Sequence, residues 1–569
     1  MVNVNNGAEQ RPQRWLITTS IPYVNAQPHI GHALEMVQTD VLARYHRLRG
    51  DRVRFQSGAD ENALKNVQAA EKEGISTQQL VERNAARFAA LCDQLDLSWD
   101  DFIRTSSEAR HWDGVEKLWR ACLANGDIYK QRYQGLYCVG CEQFYTAEEL
   151  VNGLCPIHHQ APELVEEENY FFRLARYQAQ LATLIETDQL RIVPETRKNE
   201  VLSFIRRGLR DFSISRDSRR ARGWGIPVPD DPSQVVYVWF DALINYITGP
   251  GYAYDAPDYR EFWCEGDQRL HLIGKDIIRF HAIYWPAMLL SAGLRLPDFI
   301  GVHGFLTVDG EKISKSRGNV IDPVALVEQL GADAVRYYLL RKVPTTSDAN
   351  FTHAEFVQSY NAELADQLGN LLNRVVRLIE RYAAGHIPPP GPLTAVEEPL
   401  ISALAAAPGL IEAAMTDFVL HKALTILWEI IAAANKYVVE VEPWVLARQW
   451  RETGDAQERS RLDTSLYVLA EALRLIALHL APFLPETAVR ILQQIGVQPE
   501  ECISCDNSLL QKGASQIRGN GQAPMGLVGA SPHLWYAPLQ KDDWRDAVTW
   551  GKITIGAPVQ PAAVLFQKT

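Results

Sequence analysis

Apolar positions along the chain change period several times, and each change marks an element. Trp15 to Thr19 is a short apolar, β-branched run that predicts a buried strand. It passes through Ser20-Ile21-Pro22-Tyr23 and a polar turn. Ile30, Leu34, Val37 and Val41 then recur at helical spacing. The predicted helix begins near His29, and Gly50 stands where its C-terminal cap belongs. Val53 to Ser57 predicts the next strand. Strand, loop, helix, strand is the opening of a parallel α/β nucleotide-binding sheet.

A long, charge-rich interruption follows. The α/β pattern returns at Val235 to Phe240, Leu270 to Ile273 and Phe299 to Val302, all expected as strands. A Rossmann-type parallel sheet split by an insertion accounts for this order better than two separate folds. From about residue 355 the pattern is helical. Phe356, Tyr360, Leu364, Leu368, Leu371 and Val375 form one apolar stripe, as in a helical bundle. The run Pro388-Pro389-Pro390-Gly391-Pro392 breaks two helices, and residues 506–530, rich in Gly, Ser, Asn and Gln, read as a surface loop. The expected organisation is a first catalytic half over 10–125, an insertion over 126–234 and a second catalytic half over 235–308. A loop region over 309–355 and an all-α domain over 356–569 complete it.

A chain of 569 residues is too long for one core, which agrees with this division. The polar first ten residues do not read as a signal peptide, and no run of about 18 uncharged apolar residues predicts a membrane span. A cytoplasmic enzyme is expected. The net charge of −12 argues weakly against nucleic-acid binding, but a chain this large can carry a local basic face, so motifs decide.

Eight cysteines are too sparse for a disulfide framework. Cys138-Val-Gly-Cys141, thirteen residues, then Cys155-Pro-Ile-His158 has the spacing of a closed tetrahedral zinc site, with His159 as an alternative fourth ligand. With no position left for water, the metal would be structural. Cys502 and Cys505 form a lone pair without partners.

His29-Ile30-Gly31-His32 follows the first strand at a helix N-terminus, where the backbone dipole favours an anion. Gly31 allows a base or sugar close to the backbone, and two imidazoles can donate to phosphate oxygens; read alone, they are equally a surface pair. Lys312-Ile313-Ser314-Lys315-Ser316 lies on a loop after Asp309-Gly310, placed to close over a triphosphate, although such a stretch is also common solvated surface. Trp239, Ala242, Leu243 and Tyr246 share one helix face, and Ile277, His281 and Trp285 another. Spacing alone reads both stripes as core, but their aromatic and imidazole rings suit a thioether.

Together the two nucleotide motifs in this order are the mark of class I aminoacyl-tRNA synthetases, with Ile313 replacing the usual methionine of Lys-Met-Ser-Lys-Ser. The segments WLITTSIPYVNAQPHIGHALE, YCVGCEQFY, VYVWFDALINY, HLIGKDIIRFHAIYWPAML and VHGFLTVDGEKISKSRGN resemble the methionyl-tRNA synthetase family, in a single-zinc-knuckle form. That resemblance implies a methionine site of Ile21, Tyr23, Trp239, Ala242, Leu243, Tyr246, Ile277, His281 and Trp285, with Asp60 holding the ammonium. It implies ATP contacts from His29, Gly31, His32, Gly274, Asp276 and Lys315, with Mg²⁺ on the phosphates. His29, His32, Lys312 and Lys315 would stabilise the transition state. It implies that Asn370, Arg374 and Trp444 read a CAU anticodon; without it, Arg374 reads as a solvated charge and Trp444 as packing. The partners implied are methionine, ATP and tRNA(Met), initiator included. No appended oligonucleotide-binding domain is visible, so a monomer is expected. The chain departs from the family at Asn62-Ala63, where many members have His-Gly after Asp60-Glu61.

Rival readings are a synthetase for isoleucine, valine, leucine or cysteine, a duplicate with altered inhibitor response, and a non-aminoacylating RNA-binding paralogue. A nucleotidyltransferase making a free adenylate is a further one. The insertion is too short for a zinc knuckle plus an editing domain, and a free-adenylate enzyme has no use for a large helical domain.

Overall fold

A computed structural model describes residues 11–138, 143–145, 149–156, 159–313, 318–498 and 545–569. Its centre is a six-stranded, fully parallel sheet of β1 (Arg14–Thr19), β2 (Arg52–Ala59), β3 (Asp101–Arg104), β4 (Arg191–Val193), β5 (Gln268–Gly274) and β6 (Phe299–His303). The spatial order is β3-β2-β1-β5-β6-β4. The chain goes to one side through β2 and β3, then returns to the other through β5. The crevice between β1 and β5 is therefore the switch point at which parallel α/β sheets bind ligands.

Helix α1 (Ile30–Leu48) follows β1 directly, with His29 as its N-cap and Gly50 in the left-handed region (φ 85°) just past its end. Ile30, Leu34, Val37 and Val41 are all buried, as their spacing predicts.

Two expectations change. Val235 to Phe240 is not one strand of the main sheet. The strand Asp231–Val236 pairs antiparallel with Ser215–Asp217 and Pro227–Val228, and α2 (Val238–Leu243) begins two residues after it. A continuous apolar run does not distinguish a buried strand from a buried helix. Within 126–234, β4 joins the parallel sheet beside β6. The insertion thus leaves the sheet and re-enters it, and most of its own strands form a four-stranded antiparallel sheet. β4 is three residues long, too short to show a periodicity of its own.

The helical part starts with α3 (Ala332–Arg341) and runs through His353–Ser359 and a π-helical stretch, Tyr360–Gly369, into α4 (Asn370–Tyr382). All six residues of the expected stripe are buried. The proline run separates α4 from Glu398–Thr416. That helix is long and apolar enough, by composition alone, to cross a membrane. Here it buries Leu400, Leu404, Ala407 and Ile411 in the bundle core with α5 (Leu420–Val441) and α6 (Ala456–Leu480). The expected loop at 506–530, Cys502 and Cys505 lie outside the described residues.

Candidate functional site

The N-terminus of α1 is built by its own histidines. The His29 backbone N–H donates to His32 Nδ1 (3.1 Å), and the Gly31 N–H donates to His29 Nδ1 (3.1 Å). The rings stack with centroids 3.8 Å apart. Both Nδ1 atoms are acceptors, so both protons sit on Nε2. Burial lowers His29 to about 4, and burial together with His29 holds His32 well below the ordinary imidazole value. The pair is neutral at pH 7 and offers two N–H donors beside the helix dipole. Gly31 has a further reason to be glycine. A Cβ there would lie 3.0 Å from His29 Cε1 and displace the ring.

Across the crevice, the Glu35 carboxylate accepts from the Ser20 N–H (2.8 Å) and hydroxyl (2.5 Å), and its other oxygen bonds His303 Nε2 (2.9 Å). His303 Nδ1 lies 2.8 Å from the Gly304 carbonyl, which can only accept. Burial opposes charge on His303, but Glu35 outweighs it and raises the imidazole above its ordinary value. Gly274, at the end of β5, faces this pair. A Cβ on it would meet Asp276 Oδ1 at 3.0 Å and His303 Nε2 at 3.6 Å. The Asp276 carboxylate stands in the field of His303 and of Lys312, which lies in the short strand Glu311–Lys312. Lys315 lies outside the described residues.

Beside them is an aromatic chamber. Trp239, Ala242, Leu243, Tyr246, His281 and Trp285 are all buried. Trp239 lies flat on Phe280 (3.7 Å, 3°) and turns edges toward Tyr23 (6.2 Å) and His281 (6.4 Å). His281 Nδ1 is 2.9 Å from the Ile277 carbonyl, so it carries the proton and Nε2 accepts from the Tyr246 hydroxyl at 2.6 Å. Burial lowers His281 to about 4 and raises Tyr246 well above the phenol range, so both are neutral. The Trp285 indole donates to His271 Nε2 (3.2 Å), which leaves His271 Nδ1 to donate to the Thr18 hydroxyl (2.8 Å). The wall is therefore aromatic: the polar atoms of Tyr246, His281 and Trp285 are paired with protein, while the buried Trp239 Nε1–H has no partner.

Neither stripe lies on one ideal helix. α2 ends at Leu243 and Asn245–Thr248 restarts it. Lys275–Ile277 is 3₁₀ and Phe280–Tyr284 is π-helical, so His281 and Trp285 come to face Tyr246 through a local change of pitch.

Asp60 is buried at the end of β2, where its N–H donates to the Pro22 carbonyl (2.9 Å) and brings it beside Tyr23. Asn62 donates from Nδ2 to Asp241 Oδ2 (2.7 Å) in α2, and His111 Nε2 bonds the other oxygen of Asp241 (2.5 Å). The departure at Asn62 thus ties the Asp60 loop to the helix of Trp239. Ile21 and Ile277, half-buried, and Tyr23 complete the rim.

Two further expected groups lie elsewhere. Cys138 and Cys155 are buried thiols packed with Tyr145 in a small separate cluster, with no disulfide. Cys141 and His158 lie outside the described residues, and among those described no three His, Cys, Asp or Glu side chains gather to hold a metal. His159 is described and stands exposed with φ 52°. Asn370, Arg374 and Trp444 meet at a cavity of about 540 Å³ on the helical part, with Asn373, Arg377, Leu378, Arg381 and Tyr382.

Sequence reading missed Glu35, His271, His303 and Phe280. Glu35 follows His32 by three residues on the same helix face, a usable signal. The pairing of His303 with Glu35 joins residues 268 apart and has no local signal.

The family model for class I tRNA synthetases (M) matches residues 15–162 and 146–376, and that for the anticodon-binding domain of methionyl tRNA ligase matches 387–514. A methionine–tRNA ligase of Brucella suis is 44% identical over 493 residues, covering 86% of this chain and 93% of that protein. One of Mycobacterium tuberculosis is 43% identical over 495 residues, with the same two shares, 86% and 93%. The crystal structure of M. tuberculosis methionyl-tRNA synthetase bound by methionyl-adenylate superposes with a TM-score of 0.84 at 38% identity, over 98% of this chain and all of that one. With class I motifs, a split parallel sheet, a helical domain and relatives matched along most of its length, the chain belongs to the methionine–tRNA ligase family of class I tRNA synthetases.

Proposed function

We propose that the protein activates L-methionine with ATP to methionyl-adenylate and transfers the methionyl group to the 3′ end of tRNA(Met), initiator tRNA included. The observation that carries this reading is the adjacency of two halves: neutral Nε2–H donors at the α1 N-terminus, and an aromatic wall whose Tyr246 and His281 lie in the field of Glu35 on the same α1.

In this reading the thioether packs against Trp239, Tyr246, His281 and Trp285, with Ile21, Ala242, Leu243 and Ile277 closing the chamber. Asp60 holds the ammonium beside Tyr23. With Tyr246, His281 and Trp285 already paired and only the Trp239 indole N–H left over, the site disfavours charged side chains by their desolvation cost. Gly274 and Asp276 take the ribose region. The methionine carboxylate attacks the α-phosphate in line and pyrophosphate leaves. His29 and His32, with Lys312 and Lys315, meet the charge that develops there. Mg²⁺ arriving with ATP would neutralise phosphate charge. The terminal ribose hydroxyl of tRNA then attacks the adenylate carbonyl and releases AMP.

A structural zinc would be held by Cys138, Cys141, Cys155 and His158. Two buried, unoxidised thiols packed together suit thiolate donors. Asn370, Arg374 and Trp444 would read the anticodon by edge bonding and stacking. The enzyme is proposed to act as a cytoplasmic monomer, with an insertion over 126–234 and a helical domain over 356–569.

The test is ATP–pyrophosphate exchange with each standard amino acid, followed by charging of a CAU-anticodon transcript. Methionine alone should drive strong exchange, and the transcript should accept it. Exchange driven by another amino acid instead would overturn the chamber assignment.

A further inference from the structure

Asn370, Asn373, Arg374, Arg377, Leu378, Arg381 and Tyr382 follow one another at alternating steps of three and one, so they line one face of α4. The opposite face of α4 buries Leu371, Leu372, Val375, Val376 and Ile379 in the bundle. From Asn370 to Tyr382 this face runs about 18 Å at the helical rise. Three bases stacked at about 3.4 Å spacing occupy only about 10 Å. The face is therefore longer than a triplet needs, and its far end is furnished.

Tyr382 is half-buried there, with Arg381 and Arg451 placed over its ring at 5.5 and 5.6 Å. Its carbonyl accepts from Arg459 Nη1 (3.1 Å), and Arg459 is itself held by Asp463 and lies over Trp450 (4.7 Å). The backbone beneath the ring is thus anchored. Among the described residues no carboxylate pairs with Arg374, Arg377, Arg381 or Arg451, so this exposed row keeps its positive charge on a chain whose net charge is −12. An aromatic ring flanked by unpaired guanidinium groups at the end of a base-reading cavity is a stacking platform with phosphate contacts.

We infer that Tyr382, with Arg381 and Arg451, binds the unstacked nucleotide adjoining the anticodon triplet, the base on the ring and its phosphate on the arginines. This rests on the reading of the cavity as the anticodon site. The base on either side of the triplet offers the same chemistry, and the test separates the two.

Binding of a CAU anticodon stem-loop to the full chain is measured for wild type, Tyr382→Leu, Tyr382→Phe and the pair Arg381→Gln with Arg451→Gln. Each is also measured with loops made abasic immediately 5′ or immediately 3′ of the triplet. Thermal unfolding checks that each variant is folded. Tyr382→Leu should weaken the intact loop about tenfold, and Tyr382→Phe should restore it. One abasic loop should bind wild type about as weakly as Tyr382→Leu binds the intact loop, and should lose nothing more on that variant. The arginine pair should flatten the salt dependence of binding. Equal losses on intact and both abasic loops, or no loss at all, overturn the platform. Asn370→Ala and Trp444→Ala are run beside them. If they weaken binding while Tyr382→Leu does not, only the platform falls; if they too bind normally, the anticodon reading falls with it.

Discussion

Both Nδ1 atoms of the α1 histidines are occupied by backbone N–H groups, so each ring has one proton to offer, at Nε2. Replacing His32 by Ala removes one such donor, and the exchange rate should fall about 10²–10³-fold with the KM for methionine little changed, as steady-state ATP–pyrophosphate exchange would show. Gly31→Ala is expected to lower the same rate by displacing the His29 ring, without a matching loss in thermal stability. The imidazoles also set the pH response of the fold. His29 and His281 protonate near about 4 in the fold, against about 6.5 in the unfolded chain. Between those values the unfolded chain binds more protons, so stability falls as pH falls through this window. His303 has the opposite sign. Its folded value is raised, so its pairing with Glu35 contributes fully below the unfolded value and is lost as pH rises through the folded one. Melting temperature against pH should therefore drop at the acid end in wild type, while His303→Asn removes only the alkaline loss.

At the scale of elements, the chamber depends on how short pieces are held together. Asn62 bridges the loop after β2 to α2 through Asp241, and Asp241 is also bonded to buried His111. Asn62→Ala leaves part of a buried carboxylate unsatisfied, at a cost of about 1–3 kcal/mol in stability. Because α2 carries Trp239, the KM for methionine should rise as well; an unchanged KM with lowered stability would mean the bridge only supports the fold. The sequence shows this departure from the family but not its partner, which comes from residue 241 through tertiary packing. The π-helical turn Phe280–Tyr284 was equally hidden. A periodicity of apolar residues does not separate an α-turn from a π-turn when four of its five positions are buried.

At the scale of the whole molecule, several side chains join the catalytic and helical parts, Arg49 to Glu412 among them, and the most buried is an arginine. Arg336 of α3 is fully buried; it pairs with Asp40 of α1 (2.7 Å) and donates to the carbonyls of Leu95, Asp96, Pro482 and Phe483. Asp40 is buried, yet Arg44 and Arg336 hold its carboxyl below the ordinary range. Arg336→Met leaves Asp40 its bonds to Arg44 and Ser98 but removes its second cation and the donor to the buried carbonyls of Leu95, Pro482 and Phe483, which should cost about 3 kcal/mol. Calorimetry is expected to show a lowered and broadened transition as the two parts uncouple. At the other end of the chain, Glu471 accepts the N–H groups of Gly551, Lys552 and Ile553, so the segment from 545 onward is part of the bundle.

Local chemistry was enough to read much of this. The β1–α1–β2 order, the histidine cap and the buried stripe of residues 356–375 all rest on residues close in sequence, where period and spacing carry the information. Three-dimensional packing settled the rest. Strand β4 returns from the insertion because a sheet edge, not its own three residues, selects it. The run at 235–240 divides into strand and helix because its neighbours differ on either side of Tyr237. His303 is raised above the ordinary imidazole value only where Glu35, far away along the chain, meets it, because electrostatics and burial depend on distance in space and not on separation in sequence.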